Sequence, residues 1–410
     1  MKKFLKKINK KSLIKPSVIG LGYVGLPIFL RLQRRFNTVG FDINKVRVKE
    51  LSSKRDINNE FSKFELNINK RSFFTNKFSD LNNSNFFIVT VPTPIFKNNK
   101  PDLRNLISAS NILKKVVKKN DIIFFESTVY PGVTKKICVP IIEKGTNLKE
   151  NKDFFVGYSP ERINPGDEKH KIEKINKIVA VNKNKFGISK KIYKNLAKKL
   201  IFTENIEETE ASKVIENIQR DLNIGLMNEI FKVCNKAKIN FKNVIKLAET
   251  KWNFVKYSPG LVGGHCLPVD PYYFSWFAKK NGINTKVILA GRNTNNQMTN
   301  YVKQVVIDNL VLNKLNISKS KILLLGLTYK KNVADIRNSL SIEVFKSLKK
   351  HIKKIKCYDP FLNNKFKKKY KLINEKDIKK FDIYIFLTNH DKFKKYKNIL
   401  KNKHVIKIFP

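Results

Sequence analysis

Short apolar runs separated by amphipathic stretches dominate the first half of the chain. The runs Ser17 to Gly20, Thr38 to Ile43, Phe86 to Val91, Asp121 to Glu126, Phe154 to Gly157 and Lys177 to Val181 are rich in β-branched and aromatic residues, and the segments between them repeat their apolar positions at helical spacing. That alternation predicts βαβ units and a parallel sheet. From about Glu204 to Asp308 the pattern lengthens into long helices, interrupted by a Gly/Pro-rich loop from Tyr257 to Pro271. Strand-like runs return at Lys321 to Gly326, Lys354 to Tyr358, Asp382 to Leu387 and Val405 to Phe409. The two ends echo each other: VIGLGYVG resembles LLLGLTYK, and GFDIN resembles CYDPF. The expected fold is α/β, with two Rossmann-like parallel-sheet domains joined by a central long-helix connector. The boundaries expected are 1–203, 204–312 and 313–410.

Composition narrows the class without changing that picture. The chain has 410 residues, enough for two or three domains, and no run approaches the roughly 20 consecutive apolar residues of a membrane span. At the N-terminus, MKKFLKKINKKSLIKP is charged, but its lysines leave no apolar core for an export signal. Cys138, Cys234, Cys266 and Cys357 are far apart and fit neither a metal-ligand spacing nor a disulfide framework, which suits a cytoplasmic protein without a metal. The formal net charge of +51 raises nucleic acid or an anionic membrane as partners. The lysines, however, fall between apolar periods all along the chain, as a solvated face would. A non-enzymatic basic protein is the rival reading, and it leaves the loop around Cys266 without a purpose.

Gly20, Gly22 and Gly25 form G-x-G-x-x-G directly after a β-run and open an amphipathic helix. Such glycines permit a tight turn and let backbone approach a pyrophosphate at a helix N-terminus. Asp42 closes the next strand 17 residues after Gly25, where a carboxylate can bind both ribose hydroxyls of NAD and repel the 2′-phosphate of NADP; otherwise it is a surface Asp after a structural turn. Pro92-Thr93-Pro94 and Glu126-Ser127-Thr128 follow β-runs, so both lie at carboxyl ends of strands that point at one crevice, although such residues are also ordinary in loops. Lys213, Asn217 and Asp221 recur at i, i+4, i+8 and share one helix face, either to grip a reacting oxygen or as a solvated stripe. In SPGLVGGHCLPVDPYY, glycines and prolines surround Cys266 and Asp270. Such a loop fixes a thiol in place, and Lys213 or His265 could favour its thiolate; a buried structural cysteine is the alternative.

The segments VIGLGYVGLP, VPTPI, ESTVYPGVT, FFVGYSPERINPGD, ASKVIENIQRDLNIGLMNE, TKWNF, PGLVGGHCLPVDPYY, GLTYKKNVADIRNS and YDPF, in this order, resemble the UDP-glucose/GDP-mannose dehydrogenase family from about Pro16 to the C-terminus. TKWNF followed by PGLVGGHC, with SPERINPGD, is most similar to the branch acting on UDP-N-acetylhexosamines for surface polysaccharide synthesis. The resemblance implies an NAD domain, a central helical domain forming a homodimer, and a UDP-binding domain. It implies a four-electron oxidation of the sugar's 6-hydroxyl to a carboxylate, with UDP-N-acetylglucosamine, UDP-N-acetylgalactosamine or, alternatively, UDP-glucose as substrate.

By the same resemblance Cys266 is the nucleophile, Glu161 serves thioester hydrolysis, and Lys213, Asn217 and Asp270 hold oxyanion and water. Thr93 and Thr128 match cofactor- and substrate-side hydroxyls, and Lys330 and Arg337 match basic residues at the nucleotide end. The candidate cofactor set is Gly20, Gly22, Tyr23, Val24, Gly25, Asp42, Arg47, Thr93 and Thr128. The candidate catalytic set is Cys266, Lys213, Asn217, Asp270, Glu161 and Thr128, and the substrate set adds Arg162, Gly263, Lys330 and Arg337. One departure is NTNNQM, Asn293 to Met298, where an Arg-x-x-Asn-Asp run is expected for dimer-contributed contacts; Arg292 is retained.

Overall fold

The computed structural model describes residues 14–58, 60–162, 174–316, 319–362 and 364–410. Most of the Lys-rich N-terminal segment and the INPGD end of SPERINPGD lie outside these residues. The chain divides into two compact units, up to Val214 and from Ile215 onward.

The first unit is built on eight strands: β1 (Pro16–Ile19), β2 (Val39–Phe41), β3 (Phe73–Thr75), β4 (Phe86–Val89), β5 (Ile122–Phe125), β6 (Phe155–Tyr158), β7 (Asn176–Ala180) and β8 (Lys199–Thr203). They pair in the order β3-β2-β1-β4-β5-β6-β7-β8. The central strands are buried along their whole length, as expected of a parallel sheet covered on both faces, and this is why they read as unbroken apolar runs. Helices α1 (Gly25–Leu32), α2 (Lys45–Ser52), α3 (Arg104–Leu113), α4 (Val139–Thr146) and α5 (Phe186–Tyr193) belong to this unit. Ile28, Phe29 and Leu32 of α1 join Val18, Phe86, Phe124 and Tyr193 in one core.

Three features depart from the sequence pattern. β3 has only three residues, too few to show a period, and β8 is a partly exposed strand whose KLIFT run carries a lysine. β6 and β7 pair antiparallel, with Tyr158 opposite Ala180, while every other pair in the sheet is parallel. The reversal places Lys177, near the start of β7, at the carboxyl ends of β5 and β6.

Helix α6 (Ile206–Lys236) runs for 31 residues, and its first turns are counted with the first unit. In the second unit follow α7 (Phe241–Ala248), α8 (Asp270–Lys280) and α9 (Lys286–Leu312), then a four-stranded sheet of β9 (Ile322–Leu325), β10 (Ile355–Tyr358), β11 (Ile383–Phe386) and β12 (His404–Lys407). The order is β10-β9-β11-β12 and all pairs are parallel. Helices α10 (Leu340–Lys349), α11 (Asn364–Tyr370) and α12 (Lys397–Leu400) complete it. Val302, Val306 and Leu310 of α9 pack with β9, β11 and α10 in one core, so the long helix is anchored to this sheet. Two Rossmann-like sheets and a long-helix middle are therefore present, and no helix among the described residues is long and apolar enough to cross a membrane.

Candidate active site

The glycine turn after β1 is held by backbone and by one carboxylate. Gly20 has φ +95°, which favours glycine, and Gly25 packs so tightly on the Gly20 carbonyl that a Cβ there would overlap it. A Cβ on Gly22, in contrast, would meet nothing within 4 Å, so the turn is open on that side. Tyr23 and Val24 lead into α1, whose N-cap, Val24, makes no side-chain capping bond. Leu26 N donates to Gly22 O at 3.1 Å, Ile28 N donates to Val24 O at 3.4 Å and Pro27 has no N–H, so in the first turn of α1 it is Gly25 N that is left to face an anion. Asp42 accepts from Leu21 N through Oδ2 at 2.8 Å and from Asn44 N through Oδ1 at 2.9 Å, and it stays half-buried beside the turn. Arg47 is buried. Its Nε donates to Leu21 O at 2.8 Å, and its guanidinium pairs with Asp56 at 2.8 Å and with Glu50. The turn, the bare helix start and a partly exposed carboxylate fit an NAD pyrophosphate and adenosine ribose.

Two further strand ends meet next to it. Thr93 Oγ1 donates to Thr128 O at 2.6 Å and Ser127 Oγ donates to Val91 O at 2.6 Å, so the loops after β4 and β5 are laced together. Thr90, which the sequence pattern does not single out, donates to Gly20 O at 2.7 Å and ties β4 to the glycine turn.

Behind these loops is a buried charge cluster of which the motifs name only the two carboxylates, Glu126 and Glu161. Glu161 follows β6 and is 6% exposed; its Oε2 is 3.0 Å from Lys177 Nζ. Lys177, 1% exposed, also reaches Glu126 Oε2 at 2.6 Å, and Tyr193 OH donates to Glu126 Oε1 at 2.7 Å. Burial pushes Glu126 up to about 7, with Glu161 adding to the rise and Lys177 and Tyr193 opposing it. Burial alone would lower Lys177, but the two carboxylates outweigh it and the net shift is upward. Arg162 N donates to Glu161 Oε1 at 2.7 Å, and its guanidinium reaches Asn176 O at 3.3 Å.

In the second unit the Cys266 loop is seated on three elements. Gly264, with φ +91°, donates to Arg337 O at 3.0 Å and accepts from Asn338 Nδ2 at 2.9 Å. A Cβ on Gly263 would stand 2.8 Å from Asn338 O, so glycine is required by that close approach. The Cys266 carbonyl accepts from Val269 N and Asp270 N, each at 2.9 Å, making the loop's end continuous with α8. Cys266 is half-buried, whereas Cys138, Cys234 and Cys357 are buried. Burial raises Cys138 and Cys357 to about 12, beyond useful nucleophilicity near neutral pH.

Helix α6 braces the same loop. Asp270, 1% exposed, accepts from Asn217 Nδ2 at 2.5 Å. One turn further, Asp221 pairs with Arg292 of α9, both 1% exposed, and Asn295 Nδ2 donates to Asp221 Oδ1 at 2.9 Å. Asn228 exchanges bonds with Gly260, its Oδ1 accepting from Gly260 N at 2.8 Å. Lys213 is 7% exposed on the same helix, so the Lys213–Asn217–Asp221 stripe is not a solvated face. Arg337 forks onto Asp335, at 2.6 Å and 2.9 Å, and the half-buried Lys330 takes a bond from Thr328 Oγ1 at its carbonyl. Asn217 and Asp270 are thus in direct contact; the Arg337 backbone holds the Cys266 loop while its side chain is turned to Asp335.

Family models for the UDP-glucose/GDP-mannose dehydrogenase family match the chain in sequence: the NAD binding domain over residues 14–197, the central domain over 207–297 and the UDP binding domain over 323–409. A UDP-N-acetyl-D-glucosamine 6-dehydrogenase from Salmonella typhi is 40% identical, over 96% of this chain and 95% of that protein. One of the same name from Pseudomonas aeruginosa is 41% identical over 85% and 83%. The solved structure of a UDP-D-ManNAc dehydrogenase from Pyrococcus horikoshii superposes with a TM-score of 0.85 at 28% identity, covering 96% of this chain and 95% of that one. The glycine turn, the Cys266 loop and these likenesses converge: the chain belongs to the UDP-glucose/GDP-mannose dehydrogenase family and is an NAD-dependent UDP-sugar dehydrogenase.

Proposed function

We propose that the chain oxidises the 6-hydroxyl of UDP-N-acetyl-D-glucosamine or UDP-N-acetyl-D-galactosamine to the uronic acid, in the cytoplasm and for a surface polysaccharide. Support for an N-acetylated sugar, and for the gluco choice among the relatives' names, comes from identity: those named for UDP-N-acetyl-D-glucosamine share 40% and 41%, against 34% or less for those named for UDP-N-acetyl-D-mannosamine. The three-domain division at 203/204 and 312/313 belongs to the same reading.

The observation that carries the mechanism is the seating of the Cys266 loop, which leaves one half-buried thiol in the turn that leads into α8. When bound, NAD supplies the hydride acceptor, two equivalents per sugar. Gly20, Gly22, Tyr23, Val24 and Gly25 receive its pyrophosphate, Asp42 its ribose, and Arg47 fixes the turn from below. Thr93 and Thr128 order the crevice. Cys266 adds to the aldehyde formed at the sixth carbon, retaining as a thiohemiacetal a compound that would otherwise hydrate or escape. Lys213 and Asn217 donate to the oxyanion of each tetrahedral stage, and Asp270 orients Asn217. After the second oxidation Glu161 takes a proton from the water that attacks the thioester. Arg162, Gly263, Lys330 and Arg337 complete the substrate-binding set.

The protein acts as a homodimer in this reading. Trp252, Leu247 and Val255, just after or within α7, are 91%, 71% and 69% exposed, an apolar surface that a second copy would cover.

The test is Cys266→Ser with UDP-N-acetylglucosamine and NAD. Steady-state NADH production is expected to vanish while calorimetric binding of both ligands persists, and Cys138→Ser should behave as the parent. Two NADH per sugar from Cys266→Ser at an appreciable rate would exclude the covalent route.

A further inference from the structure

The buried cluster at the carboxyl ends of β5 and β6 contains more charge than one hydrolytic carboxylate requires. A lone ammonium 3.0 Å from Glu161 would make it a poor acceptor for a proton. Lys177 does not face Glu161 alone, because Glu126 is closer, at 2.6 Å, and equally buried. The antiparallel turn of β7 brings the lysine there, and Tyr193 from α5 holds the far oxygen of Glu126. Nothing in the folding of the sheet demands two carboxylates on one cation in a dry site, and desolvating a net negative cluster opposes folding.

We propose that Glu126 is a positioning residue for the hydrolysis step: by sharing Lys177 it leaves Glu161 aimed by the ammonium yet basic enough to take the proton of the attacking water. The inference rests on the assignment of Glu161 to thioester hydrolysis. In that step the water oxygen bonds to the thioester carbonyl carbon, the C–S bond breaks, and Cys266 leaves as thiolate. One water proton passes to Glu161 and the other leaves with the acid product. No oxidant is consumed.

Glu126→Gln preserves the shape and can keep the Lys177 bond through its carbonyl, with Tyr193 OH turned to accept from the amide, but it leaves the charge of Lys177 to Glu161 alone. An unshared cation lowers a carboxylate's proton affinity by roughly one to three orders of magnitude, and part of that passes into the rate. Steady-state turnover is expected to fall by about tenfold, with a burst of two NADH per active site. Intact-protein mass spectrometry should show the sugar thioester on the enzyme. Hydroxylamine attacks a thioester without a general base, so it should release the hydroxamate and restore turnover, which it would not do for a defect in binding or folding.

Tyr193→Phe is the second arm. It leaves both charges in place but removes a bond that opposes protonation of Glu126, which titrates near neutrality and is faced by Lys177, Glu161 and Tyr193. Adduct should accumulate at pH 7 and disappear at pH 8.5, and this arm decides the matter if Glu126→Gln does not fold. Glu161→Gln separates the two layers. If it accumulates thioester while folded Glu126→Gln turns over normally without adduct, Glu126 has no such role. If Glu161→Gln itself shows no adduct, the underlying assignment falls with it.

Discussion

Arg292→Met tests how the second unit holds its Cys266 loop. Arg292 and Asp221 are each 1% exposed, and Arg292 also reaches Leu267 O at 3.4 Å and Asn296 Oδ1 at 3.2 Å. Removing one partner of a buried pair costs about 3–5 kcal/mol when the other stays charged. Asp221 has a less costly route, because burial already raises it to about 6 against the pull of Arg292. Without the guanidinium it takes up a proton instead, at about 1.4 kcal/mol for each pH unit above its native titration.

At pH 7.5 that is about 2 kcal/mol, below the cost of the bare charge, so protonation wins. The lost bonds to Leu267 and Asn296 add about 1 kcal/mol at every pH. The sign follows from proton binding: the folded variant holds a proton that folded parent releases above about pH 6, so the variant's deficit is small below pH 6 and grows as pH rises. The expected deficit is thus about 1 kcal/mol at pH 6 and about 3 kcal/mol at pH 7.5. Both tryptophans, Trp252 and Trp276, lie beyond Ile215, so urea unfolding followed by tryptophan fluorescence reports this unit. Asp221→Asn combined with Arg292→Met should remove the pH-dependent part. A deficit that is flat between pH 6 and 7.5, or under about 1 kcal/mol at pH 7.5, refutes the reasoning.

Asp42→Ala should relax cofactor choice, bringing kcat/KM for NADP to within about tenfold of that for NAD, because the carboxylate that repels a 2′-phosphate is gone; an unchanged preference would remove Asp42 from ribose recognition. Trp252→Asp places a charge in the exposed apolar surface and should yield monomers by light scattering with a far-UV circular dichroism spectrum like the parent's; an unchanged mass would put the self-association surface elsewhere.

The motifs were legible where function forces a residue type that folding alone would not choose. A glycine overlapping a carbonyl, a thiol between glycines and prolines, and an Asp closing a strand all leave a mark in one dimension. Glu126 opens the Glu-Ser-Thr motif, but Lys177 and Tyr193 leave no mark, since each stands in or beside an apolar run and their meeting with Glu126 depends on β7 running against β6. The Asp221–Arg292 pair is of the same kind: two residues 71 apart on separate helices, recognisable only once α6 and α9 are packed. Strands β3 and β8 were missed because three residues show no period and a partly exposed strand carries polar residues. Conversely, the spacing of Lys213, Asn217 and Asp221 was equally consistent with a wet face, and only burial excludes that.

The echo between the two ends of the chain shows how one backbone device serves different chemistry. Gly326 has φ +87° as Gly20 has +95°, and Asp359 accepts from Leu327 N and Thr328 N as Asp42 accepts from Leu21 N. In the first unit the helix begins at once, at Gly25, and Asp42 is half-buried beside the turn. In the second, α10 begins only at Leu340, and Asp359 is fully buried against His390. A buried, satisfied carboxylate cannot receive a ribose. The residues from Tyr329 to Ser339 that stand in place of the helix start carry Lys330 and Arg337, the latter forked onto Asp335, and the same loop grips Gly264, two residues before Cys266, through the Arg337 carbonyl and the Asn338 side chain. The absence of a helix start after Gly326 and the seating of the Cys266 loop are therefore one structural difference from the first unit.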